Sequence, residues 1–281
     1  MIIGTQYMII GIWIFFSIIG LGIGSFLNVV IFRMETEKKF WNGRSECMHC
    51  HHTLAWYELI PVLSYILQRG KCRECEVSLS PQYPLVEIGT SLLFGGVAYL
   101  YAPDLSAIVG LSWIDYVYAM LVLILVTQLM IIFVYDVRYQ LIPAIQLRAI
   151  QVLGLIWFIL HYYQNRIVSD SWLTVLLSVS IVLFLYIVTK KQGIGWGDVE
   201  LFAGLGFFIP FMWFVPFFFG SFIIGTIWGL TVMIINHNNS LKQKIAFGPS
   251  IIVSFVIMYS IIQLNIVPSV NLWYYLIIPN I

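Results

Sequence analysis

Long apolar runs alternate with short polar breaks along nearly the whole chain. The runs cover residues 7–32, 85–101, 113–135, 144–162, 172–189, 198–209, 212–235 and 249–266. Most approach the roughly 20 residues that a helix needs to cross a bilayer. The pattern predicts an all-α polytopic membrane protein with about eight transmembrane helices. Residues 198–209 form the shortest run, ended by Pro210, and the division between it and the next run is the least marked. The aromatic tail at 271–281 reads as interfacial. The first run is not a signal peptide: it lacks a basic leading region, is too long, and has no small-residue cleavage pattern. Gly20, Gly22, Gly24 and Ser25 give it a stripe of small residues, suited either to close helix packing or to a binding surface.

One long polar segment interrupts the pattern between the first two runs. The expected organisation is a first transmembrane helix over 1–32, a cysteine-rich loop over 33–84 and a catalytic helical domain over 85–281. Inside the loop, residues 56–65 are apolar and aromatic but too short to span. They are expected on the membrane surface or packed beneath the cysteine pairs. Glu58, within this stretch, reads as a solvated charge, with a substrate contact as the alternative.

Composition removes the soluble alternatives. Of 281 residues, 60% are hydrophobic and 10% charged, too few polar groups to cover a globule's surface. The net charge of +1 implies no nucleic-acid partner. Its distribution is more informative. Of the 14 Lys and Arg, 12 fall in alternate inter-run segments, starting with the 33–84 loop; Arg148 lies near the start of the run that follows one of these segments, and Arg166 is the exception. By the positive-inside rule those segments face the cytosol and the N-terminus lies outside.

All four cysteines lie in that loop, as Cys47-Met-His-Cys50 and Cys72-Arg-Glu-Cys75. Two C-x-x-C pairs at this separation suit a structural zinc ion held by Cys47, Cys50, Cys72 and Cys75. Two disulfides are the alternative, disfavoured on a reducing cytosolic side. His49, His51 and His52 could replace a thiolate, but with four cysteines available they read as surface residues.

Two acids remain. Asp198 follows the glycines of Gly193-Ile-Gly-Trp-Gly and opens a run. Asp136 closes another, ahead of Arg138 and Pro143. Ionisable groups at the edge of hydrocarbon are expensive and so are functional candidates. Counting runs puts both at cytosolic helix ends, on the side of the cysteine loop. Two carboxylates brought together cannot both ionise cheaply and share a proton. The ionised one can then activate water while the protonated one polarises a peptide carbonyl. Taken singly, Asp198 could be a helix cap and Asp136 could pair with Arg138. A proton-coupled transporter or a non-catalytic scaffold of a pilus or secretion complex are the competing functions.

The chain resembles the type IV prepilin peptidase family. The matching stretches are Gly20 to Arg33, the two cysteine pairs, residues 56–65, 69–73 and 83–87, Asp136 to Pro143, Gly-Trp-Gly-Asp198, and Phe247-Gly-Pro249. The resemblance implies a membrane aspartic peptidase whose catalytic pair matches Asp136 and Asp198. Its implied substrates are prepilins and pseudopilins of type IV pili and type II secretion, cut after a short basic leader at the cytosolic face of the bacterial inner membrane. It also implies N-methylation of the new terminus with S-adenosylmethionine. One position departs: Glu200 stands where the family usually has lysine. An acid so close disfavours ionisation of the pair unless it faces away or meets a cation, so active protein with an altered pH profile is expected.

Overall fold

The structure, a computed structural model, describes residues 2–35, 43–105, 113–164, 170–190, 193–235 and 246–264. Lys38, Lys39, Arg166, Lys191, Lys242, Lys244 and the tail at 271–281 lie outside them. The described residues are helical, apart from turns and two isolated β-bridges. The helices are α1 (Ile2–Glu35), α2 (Leu63–Leu67), α3 (Gln82–Leu105), α4 (Trp113–Tyr139), α5 (Ala144–Tyr163), α6 (Ser171–Val188), α7 (Trp196–Gly206), α8 (Phe214–Ile235) and α9 (Gly248–Gln263). Each expected run therefore has its helix. Six of them are long and apolar enough to cross a membrane. The other two are shorter, so length and composition support six of the about eight spans expected. Helix α7 has 11 residues, about 16 Å of rise against a hydrocarbon core of about 30 Å. Helix α9 has 16 and falls short as well. The chain is a multi-pass membrane protein.

It forms two compact units, Met1–Arg138 and Tyr139–Ile281. In the first, α1 packs along α3 through its small residues. A Cβ on Gly20 would sit 2.7 Å from Ser91 Cα, and one on Gly24 would sit 2.7 Å from Glu87 Cα. The backbones approach that closely because nothing stands between them. Ser91 Oγ donates to Ser17 O at 2.9 Å across the same contact. The stripe is therefore a packing surface at Gly20 and Gly24, four residues apart on one helix face. Gly22, off that face, has open space. Helix α4 closes the unit, with Ile131 and Val134 buried against Leu27, Ile31 and Val86.

In the second unit the short α7 is the core. Leu201, Phe202 and Leu205 are fully buried. Gly204 meets α5, where a Cβ would be 2.8 Å from Ile150 Cγ2, and Gly206 meets α6 at Val175. Phe202 packs its ring against Phe217 and Phe218 of α8. Helix α9 joins α8 through Ser254 Oγ, which donates to Phe217 O at 2.9 Å. Helix α7 is thus walled by α5, α6 and α8.

The two glycines of α1 that differ in surroundings give a paired test. Gly24→Ile should destabilise the folded protein by about 1–3 kcal/mol, the cost of overpacking a fitted contact. Gly22→Ile should leave the thermal unfolding midpoint in detergent unchanged.

Candidate functional site: four cysteines and two buried aspartates

The four cysteines converge. Their sulfur atoms all lie within 4.8 Å of one another, with Cys47 to Cys75 and Cys50 to Cys72 each at 3.9 Å. Sulfurs around a tetrahedral zinc, each about 2.3 Å from the metal, stand roughly 3.8 Å apart. The set therefore fits a metal ion and does not fit two disulfides, since the four thiols are free.

The backbone builds the site twice, 25 positions apart. Cys47 N–H donates to His52 O at 2.9 Å, His51 N–H to Cys47 O at 3.0 Å, and Leu54 N–H to Ser45 O at 2.9 Å. Cys72 N–H donates to Val77 O at 2.8 Å, Glu76 N–H to Cys72 O at 3.0 Å, and Leu79 N–H to Gly70 O at 2.7 Å. The bridges Glu46 to Thr53 and Lys71 to Ser78 repeat as well. His51 and Glu76 both take positive φ, 57° and 55°, at the corresponding corner. Each C-x-x-C is thus a knuckle whose turn aims amide N–H groups at its own sulfurs. Burial pushes the Cys47 thiol up, but the N–H groups of Cys50 and His49 and the nearby thiols outweigh it and bring it to about 7. At Cys50 the His52 N–H favours the thiolate, yet desolvation and the three other thiols carry it up to about 12. Four thiols this close cannot all ionise without a cation between them.

One carboxylate in this unit departs from the expectation. Glu58 is buried, not solvated. Its Oε2 accepts the Ala55 N–H at 2.8 Å and lies 3.3 Å from His52 Nε2. His52 is therefore half-buried beside an acid, while His49 and His51 are exposed as expected. Glu87, near the start of α3, accepts the Val62 N–H at 2.7 Å. Val62 is the centre of a tight γ-turn, with φ 61° and a Leu63 N–H to Pro61 O bond of 2.6 Å. A β-branched residue rarely adopts that conformation.

Asp136 lies one turn before the end of α4 and is buried, 5% exposed. Arg138, two residues on, projects from the opposite side of the helix. It donates to Gln82 Oε1 at 3.1 Å and stacks over the Phe32 ring at 4.7 Å. Those contacts tie the end of α4 to α3 and α1.

Asp198 belongs to the second unit, in the first turn of α7, and is 7% exposed. Its Oδ2 accepts the Gly195 N–H at 2.9 Å, and its own N–H donates to Gly195 O at 3.2 Å. Gly195 has an extended backbone that any residue can adopt, so glycine is there for space: a Cβ would lie 3.3 Å from Asp198 Oδ2. At Gly197 a Cβ would meet Ile142 Cβ at 3.1 Å. Glu200 sits two residues along, about 200° around the helix from Asp198. It accepts the Trp196 indole N–H, and Trp196 in turn packs on Tyr186. Gln151 Nε2 reaches Glu200 O at 3.4 Å. The acid faces away, the condition under which it leaves Asp198 undisturbed.

By fold and chemistry this is a helical membrane protein with a four-thiol metal knuckle and a buried carboxylate in each of its units. Comparison with known proteins narrows that class. Residues 18–101 match the Bacterial Peptidase A24 N-terminal domain, and residues 123–230 match the Type IV leader peptidase family. A prepilin leader peptidase/N-methyltransferase of Bacillus subtilis is 30% identical over 247 residues, covering 86% of this chain and 91% of the relative. One from Vibrio cholerae is 31% identical over 271 residues, 89% and 97% of the two chains. One from Myxococcus xanthus is 45% identical over 111 residues, 36% of this chain and 33% of the relative. No solved structure matches. The chain belongs to the prepilin leader peptidase/N-methyltransferase family.

Three outcomes follow from this geometry. Protein purified anaerobically should carry one metal ion per chain by elemental analysis, and Cys72→Ser should lose it. Chelation should raise amide exchange across residues 43–81 and spare α5 to α9. Glu200→Gln should leave the pH profile of activity overlaying that of the parent, since its carboxylate is turned toward Trp196.

Proposed function

We propose that the chain is a membrane aspartic endopeptidase that removes the leader peptide of type IV prepilins and pseudopilins, with Asp136 and Asp198 as its two reacting carboxylates. The observation that carries this reading is Asp198, buried at the head of α7 inside the stretch that matches the leader peptidase family. Asp136 is buried within the same matched stretch. Helices α5 and α6 are each long enough to cross a membrane. The chain thus leaves one face after Asp136 and returns to it before Asp198. Arg138 and Lys190 flank those two ends, and the charge bias supports a cytosolic face with the N-terminus outside. The bilayer is the bacterial inner membrane, and the catalytic helices come from residues 85–281.

In the reaction, the ionised carboxylate takes a proton from water as the water oxygen bonds to the scissile carbonyl carbon. The protonated carboxylate donates to the carbonyl oxygen. When the tetrahedral intermediate collapses, the C–N bond breaks and a carboxyl proton passes to the leaving amine. Asp198 suits such work because its Oδ2 is oriented by a backbone N–H that carries no net charge and does not titrate. Gly195, without a side chain, leaves the approach to Oδ2 open.

The metal held by Cys47, Cys50, Cys72 and Cys75 is a structural zinc, bound by four thiolates with no open position for substrate. The relatives' names include N-methyltransferase, which supports methylation of the new N-terminus with S-adenosylmethionine as donor. The test is leader cleavage by purified protein in lipid. Asp136→Asn and Asp198→Asn should each lower the rate by at least about 100-fold while the protein stays inserted and metal-loaded. Cleavage persisting in either variant would remove that residue from the pair.

A further inference from the structure

The 56–67 segment presents an apolar surface that is exposed among the described residues. Trp56 and Leu67 are 76% and 73% exposed, and Leu59, Ile60, Leu63 and Ile66 are also exposed. Single exposed apolar residues are ordinary, but a contiguous set on one short segment marks an interaction surface. The segment is sorted by polarity. Its one acid, Glu58, is turned inward to the Ala55 N–H and His52. Tyr57 keeps its phenol oxygen on Arg73 Nη1 at 2.8 Å, with the guanidinium 5.4 Å from its ring centre. The large side chains are left pointing out.

The position of this surface says what it meets. The Val62 N–H is held by Glu87 Oε2 at 2.7 Å. Glu87 belongs to α3, one of the helices able to cross a membrane, close to the end where that span begins. Leu85 and Ile88, beside it on α3, are 65% and 42% exposed. The segment is thus held at the start of a helix able to cross a membrane, where exposed apolar residues stand on both. Tryptophan and tyrosine beside aliphatic residues are the side chains that settle at the headgroup boundary.

We propose that residues 56–67 are an interfacial anchor that lies in the surface of the bilayer from which α1 and α3 emerge. The anchor fixes the cysteine knuckles against the membrane from two sides: the Val62 to Glu87 hydrogen bond holds it to α3, and the outward side chains hold it to lipid. Chemistry favours lipid over a protein partner because the patch is tied to the start of a helix able to cross a membrane, whose neighbouring Leu85 and Ile88 are exposed too.

The test uses full-length, metal-loaded protein in vesicles of phosphatidylethanolamine and phosphatidylglycerol. A fraction of the lipid carries a diazirine on its acyl chain near the glycerol. After irradiation, adducts are mapped by peptide mass spectrometry, a readout independent of peptidase activity. The expected result is labelling of 56–67 at yields like those of 85–92. In a Leu63→Glu/Ile66→Glu/Leu67→Glu variant, labelling of 56–67 should fall to background while labelling of 85–92 persists. Retained metal shows that variant to be folded; if metal is lost, Ile66→Ser/Leu67→Ser serves in its place. Labelling of 85–92 with none on 56–67 in the parent protein overturns the proposal, as does protection of 56–67 by a copurifying protein.

Discussion

A carboxylate taken out of water must be held by hydrogen bonds or charge, and the chain is arranged around meeting that need at Asp198. The Gly195 N–H does the holding, which requires the loop before α7 to fold back on the helix's first turn. That turn requires α7 to start where it does. The start in turn requires Gly197 to close on Ile142, and Gly204 and Gly206 to admit α5 and α6. A side chain at any of these glycines would push α7 away from its walls and move the carboxylate with it. The burial of Leu201, Phe202 and Leu205 is the apolar side of the same arrangement. It supplies the rigidity that lets one amide fix one oxygen.

The first unit uses the same device. Glu58 accepts the N–H of the residue three before it while its own N–H donates back to that residue's carbonyl, as Asp198 does with Gly195. In both cases an acid at the third position of a helical turn satisfies a free backbone donor and is itself fixed. Glu87 does related work over a longer reach, stabilising a strained γ-turn at Val62. Acids that hydrogen-bond backbone amides keep their geometry without a mobile cation. In both units the polar groups needed at the membrane surface are anchored to main chain.

Much of this was legible in the residues. Apolar runs located every long helix to within a few positions, because a membrane segment must satisfy its backbone internally and so must be helical. The C-x-x-C spacing pointed to the four-thiol cluster, which could hold a metal ion. What escaped was what depends on neighbours. Run 198–209 was legible as short, but its composition does not say that α7 is walled by α5, α6 and α8. Glu58 read as solvated because nothing local announces that Ala55 and His52 enclose it. The 25-residue repeat of the knuckles is carried by hydrogen bonds and two positive-φ corners, with little side-chain likeness beyond the cysteines. Glu200 stands beside Asp198 in one dimension, and only the helix shows its carboxylate turned toward Trp196.

The central claim is that Asp136 and Asp198 act on one peptide bond. The most direct measurement is a structure of the protein bound to a prepilin peptide whose scissile amide is replaced by a hydroxyethylene group, a stable stand-in for the tetrahedral intermediate. The account predicts a carboxylate oxygen from each aspartate within about 2.6–3.2 Å of the inhibitor hydroxyl. A hydroxyl bound by only one aspartate, or by neither, would contradict it.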